Sequence, residues 1–130
     1  MKHSIMIIIY IISLFALIII SGIITSLYLD RSAKELYLYL EKVEEYANTN
    51  KWELAKEELS VMEEKWNKVK KVWATLTDHG EIDSITISLA RARIYIEEKD
   101  LPLALAEISV LKDLITHVPD KELPTLDNIF

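Results

Sequence analysis

The chain has no cysteine, and of its 130 residues only two are glycine and three are proline. Without cysteine there can be no disulfide, no thiolate metal site and no cysteine nucleophile. Gly22 and Gly80 stand far apart, so no glycine-rich loop exists to cradle a phosphate. Formal charge is also missing from one long stretch, Ser4 to Leu29. Elsewhere acid predominates: 21 Asp and Glu against 15 Lys and Arg leave a net charge of −6. A surface of that sign repels phosphate backbones, which argues against nucleic acid as a partner.

The uncharged stretch is mostly isoleucine, leucine, methionine and phenylalanine. As a helix it measures roughly 39 Å at 1.5 Å per residue, enough to cross a hydrocarbon core of about 30 Å with some tilt. Ser13, Ser21, Gly22, Thr25 and Ser26 interrupt it without harm, since small and hydroxyl side chains are tolerated in membrane helices. A cleaved signal peptide would have a shorter apolar run followed by small residues at the cleavage site. Here Ile23, Ile24, Leu27 and Leu29 crowd those positions. Residues 1–29 therefore read as an uncleaved transmembrane anchor. The positive charges flanking it, Lys2 and the amino terminus before and Arg31 and Lys34 after, nearly balance. A short basic N-terminus before a long apolar run favours a cytoplasmic start and delivers the remainder outside the cell.

Past the anchor the spacing of apolar residues is helical throughout. Leu29, Ala33, Leu36, Leu40, Val43 and Ala47 recur at three and four residues, which sets them on one face. Asn48, Thr49 and Asn50 then mark a turn. A second helix carries Trp52, Ala55, Leu59, Met62, Trp66, Val69, Trp73 and Leu76 in one seam, with Gly80 expected as its C-terminal cap. The third, from about Ile82 to Glu98, aligns Ile82, Ile85, Leu89, Ala92 and Ile96, with Ile87, Ala90 and Ile94 broadening the seam as Tyr37, Leu38 and Tyr39 widen that of the first. The fourth runs from about Pro102 to His117, with Ala104, Ile108, Leu111, Ile115 and Val118 as its stripe, and Pro119 is expected to stop it. An irregular tail, 120–130, follows, with Leu123, Leu126, Ile129 and Phe130 available to dock on the bundle or the bilayer.

Leu54-Ala55 with Glu58–Met62 resembles Leu103-Ala104 with Glu107–Leu111, forty-nine residues later. Each half then forms a helical hairpin. The fold expected is all-α: a single N-terminal transmembrane helix, then a small antiparallel bundle of two hairpins over 30–119. A pair of tetratricopeptide-like units is the second architecture to weigh, although that repeat has a period of 34 residues and shorter helices.

Reflection about each turn estimates which residues stand level on neighbouring helices. His79, Asp83 and His117 come to one end, a set that could ligate zinc, although its spacing matches no zinc motif and a helix-pinning hydrogen bond accounts for it more simply. Arg91 stands opposite Glu107 as a structural ion pair. Lys65, Lys68, Lys70 and Lys71 form a basic cluster that, with Trp73, falls near the membrane end of the second helix and could touch lipid headgroups. No serine or threonine stands in a triad order with the histidines, so no catalytic residue is assigned and no cofactor is implied.

Trp66, Trp73, the His79-Gly80-Glu81-Ile82-Asp83 stretch, Arg91, Leu103–Glu107 and the closing Asp127-Asn128-Ile129-Phe130 give the chain a resemblance to a known group. It resembles the uncharacterised bacterial membrane-anchored family catalogued as domain of unknown function 4363. The resemblance covers nearly the whole chain and implies a single-pass membrane protein with a small helical domain. It carries over no catalytic residue, because none is established for the group. The function expected is non-enzymatic: a module beside the lipid bilayer in the cell membrane, extracytoplasmic, binding another envelope protein, with apolar residues such as Tyr37, Tyr39 and the tail as the partner face. The alternative is a membrane-tethered sensor of metal or protons using the histidine end.

Overall fold

A computed structural model describes residues 1–122, with side chains through Pro119. Among these residues there are four helices and no strand: α1 (Lys2–Asn48), α2 (Trp52–Leu76), α3 (His79–Glu97) and α4 (Leu101–Glu122). The chain is all-α, a long apolar N-terminal helix followed by a helical bundle. Ser4 to Ile24 are exposed on every side, and α1 is long and apolar enough there to cross a membrane. From Leu29 onward the same unbroken helix becomes a bundle helix, burying Leu29, Ala33, Leu36, Leu40, Val43 and Ala47.

The other helices bury the residues that the three-and-four spacing selects, because only that stripe of each helix can face a common axis. Each helix packs on the next, and α4 returns to pack on α1. This closure makes a ring of antiparallel helices rather than an open stack, so the tetratricopeptide-like arrangement does not occur. Charged residues at the outer positions keep the faces wet, and the core is filled by aliphatic side chains and three tryptophans.

The two hairpins are copies in register. Adding 49 to the buried α1 positions Ala33, Leu36, Leu40, Val43 and Ala47 gives the buried α3 positions Ile82, Ile85, Leu89, Ala92 and Ile96. The same shift carries Ala55, Leu59, Met62, Trp66 and Val69 of α2 onto Ala104, Ile108, Leu111, Ile115 and Val118 of α4. Even the turns correspond. Asn50 and Lys99 both take positive φ, 60° and 54°, and Lys51 N and Asp100 N donate to Tyr46 O and Tyr95 O. Relating the halves exchanges α1 with α3 and α2 with α4.

Two expectations at the helix ends are corrected. Gly80 does not close α2, which stops at Leu76 with Thr77 extended. It lies in the first turn of α3, where its N–H donates to the Asp78 side chain at 2.9 Å, an N-cap. Its φ is negative. A Cβ there would meet nothing closer than 3.5 Å. Gly80→Ala should therefore leave the thermal midpoint unchanged or raise it, by up to about 1 kcal/mol of stability; a loss of that size would indicate a left-handed cap after all. Pro119 does not stop α4 either: the helix continues past it to Glu122, with the proline ring buried. Leu123, Leu126, Ile129 and Phe130 lie outside the described residues.

Candidate functional site

No group of three His, Cys, Asp or Glu among the described residues is placed to hold a metal ion. His79, Asp83 and His117 are each exposed. Reflection about a turn sets the height of a residue but not its direction around the helix. Asp83 follows the buried Ile82 by one residue and His117 follows the buried Ile115 by two, so both side chains start from the outer surface. The histidine end brings together no ligand set.

Arg91 and Glu107 do meet, because both lie on the sides of α3 and α4 that face each other. Arg91 Nε donates to Glu107 Oε1 at 3.2 Å, and the buried Ser88 hydroxyl donates to the same oxygen at 2.6 Å. The carboxylate is only 12% exposed, whereas Arg91 is 54% exposed. Glu107 thus serves a buried hydroxyl first and a solvated cation second.

Trp73 is not at a lipid-facing surface. Its side chain is fully buried, and its indole N–H donates to Ser32 Oγ of α1 at 2.9 Å. Ser32 in turn donates back to the helix carbonyls of Tyr28 and Leu29. Trp66 meets Trp73 edge-to-face at 5.4 Å between ring centroids and donates to Thr86 Oγ1 on α3. Trp52 caps the first turn between helices by donating to Asn50 Oδ1 at 2.6 Å. All three indoles have partners, which is what allows them into a core.

The lysines of the same helix divide. Lys65 reaches across to Glu35 of α1 at 3.0 Å. Lys68 and Lys71 are exposed and Lys70 is half-buried. The Trp73–Ser32 bond fixes their height, one to two turns above Leu29, where the long apolar part of α1 ends.

Two ion pairs join one hairpin to the other. Arg93 of α3 grips Glu63 of α2 with two hydrogen bonds, of 2.9 and 2.8 Å, and adds one to Ser60. The bond to Glu63 raises the arginine pKa against the cost of partial burial. Lys112 of α4 donates to Glu44 of α1 at 2.6 Å and lies 5.2 Å from the Tyr37 ring centroid. Partial burial alone would lower the Lys112 pKa; the Glu44 hydrogen bond and charge outweigh it and leave the net shift upward. Tyr37 and Tyr39 are half-buried, and Tyr39 packs against the core, so neither is a free apolar surface. The apolar residues left exposed are elsewhere: Ile87 and Ile94 on α3 at 54% each, Leu103 and Val110 on α4 at 46% and 43%, with Leu38, Leu54, Val61 and Val72 on the other hairpin. Ile87, Ala90 and Ile94, expected to broaden the seam of α3, and Leu38, expected to widen that of α1, are instead exposed, because they stand on the side of each helix away from the buried stripe.

The model of the family described as domain of unknown function (DUF4363) matches residues 23–129. No curated protein and no solved structure matches the chain.

Proposed function

The chain belongs to the DUF4363 family, and we propose that it is a single-pass membrane protein whose bundle docks another envelope protein and carries no catalytic activity. The observation that supports this best is the continuity of α1. One helix supplies both the apolar span and a quarter of the bundle, with no linker between them. A bundle attached in that way stands upright at a fixed height, as suits a module that presents a face to a neighbour. Ile87, Ile94, Leu103 and Val110, spaced by seven residues on each helix of the α3–α4 hairpin, form the apolar part of that face. A partner helix with its own apolar stripe fits such a surface.

In this reading Lys68 and Lys71 meet anionic headgroups, since the interfacial layer extends several ångströms beyond the hydrocarbon edge. The domain is extracytoplasmic in this reading, Lys2 preceding the apolar run. Photo-crosslinkers placed at Ile94 and, as a control, at the acidic Glu57 on the other hairpin test the docking face in native membranes. One defined product is expected from position 94 and none from 57; equal, diffuse products from both would refute docking at this face. Labelling of a Ser84→Cys chain by a membrane-impermeant maleimide in intact cells tests the orientation, and protection would reverse it.

A further inference from the structure

One ion pair inside each hairpin keeps its sign under the shift of 49, the pairs between hairpins reverse theirs, and the pair Lys65–Glu35 has no charged counterpart at Leu114 and Ser84. Inside the first hairpin Lys42 pairs with Glu58 at 3.7 Å; forty-nine residues on, Arg91 pairs with Glu107 at 3.2 Å, cation on the odd helix in both cases. Between hairpins the equivalent pairs are Glu44–Lys112 and Arg93–Glu63, at 2.6 and 2.8 Å. The shift of 49 takes Glu44 to Arg93 and Glu63 to Lys112, so the charges are reversed at both members. Reversal has a consequence for assembly. If a second copy of the α1–α2 hairpin took the place of α3–α4, Glu44 of each would face Glu63 of the other. Two α3–α4 hairpins brought together would oppose Arg93 to Lys112 twice.

We propose that these four residues form a pairing code that makes an α1–α2 hairpin accept an α3–α4 hairpin and reject a second α1–α2 hairpin, so that two copies of the chain do not associate through like hairpins. Association of like hairpins is a real hazard here. The buried positions of the two hairpins coincide under the shift of 49, so a second copy of either hairpin presents an apolar seam in the same register, although residue sizes differ at positions such as Trp66 and Ile115. The exchange that relates the halves also keeps α1 and α3 parallel, so two α1–α2 hairpins could pair with both N-terminal apolar segments entering one membrane. Like charges opposed at partly buried positions add a penalty against pairing of like hairpins. The code goes beyond docking to a partner and does not depend on it.

The test is a charge transplant in the full-length chain, purified in detergent micelles. In the double variant Glu63→Lys, Lys112→Glu, both pairs between unlike hairpins become repulsive while both pairs between like hairpins become attractive. Its dimer fraction, read by mass measurement and by crosslinking, should rise about tenfold or more over wild type with helical circular dichroism retained. Adding Glu44→Lys and Arg93→Glu restores complementarity within the chain, and the quadruple variant should return to the wild-type dimer fraction. A double variant that stays monomeric, or that loses helicity without associating, overturns the proposal, as does a quadruple variant that remains dimeric.

Discussion

Trp73→Ala should cost the bundle about 3–5 kcal/mol, the range for deleting a fully buried tryptophan, and lower the melting temperature by on the order of 20 °C for a domain of this size. The indole occupies the centre of the half nearest the apolar span, edge-on to Trp66, with its N–H committed to Ser32. Truncation opens a cavity between α1 and α2 and removes that link. Trp73→Phe keeps most of the packed volume and should lose only about 1–2 kcal/mol, chiefly the hydrogen bond and part of the ring. Thermal melts of both variants followed by circular dichroism give the comparison. A Trp73→Ala protein melting within a few degrees of wild type would return the side chain to the surface, as a headgroup contact.

The second large effect is asymmetric. Glu107→Ala should cost about 1–3 kcal/mol, because it strands the buried Ser88 hydroxyl. Arg91→Ala should cost less than about 1 kcal/mol, since the arginine is mostly in water and its removal leaves Glu107 still accepting from Ser88. Chemical denaturation of the two single variants separates them. Equal losses would mean that the ion pair, and not the serine–glutamate bond, holds α3 to α4 at this point.

Much of this architecture could be read from the chain itself. Helix seams are legible because burial in a bundle demands the same three-and-four spacing along the entire length of each helix, and all four seams carry it. The hairpin partners follow from the antiparallel turns, which is how Arg91 and Glu107 come to stand level. Direction around the helix axis does not follow from height, and that is why His79, Asp83 and His117 share an end of the bundle without sharing a site. Trp73 sits on its seam like Trp66, yet its nearness to the lysines drew it toward the surface; the deciding group is Ser32, a polar residue on an apolar seam that accepts the indole N–H. Gly80 and Pro119 mislead because position within the helix decides the effect. A glycine is tolerated in a first turn beside its Asp78 cap, and a proline in the last turn removes only one backbone hydrogen bond near the end of α4. The forty-nine-residue echo is visible over α2 and α4, but its extension to α1 and α3 rests on burial and turn geometry, since few of the aligned residues there are identical.

Whether α1 keeps its N-terminal half in the mature protein decides more than any other point, because a bundle held upright by an unbroken helix needs that half in place. Intact mass spectrometry of the protein from a fractionated cell measures it directly. A 130-residue chain beginning at Met1, found in the membrane fraction and resistant to extraction by carbonate, is the predicted result. A shortened chain lacking roughly the first 25 residues, near the length of an exported signal segment, and recovered free in solution would contradict it.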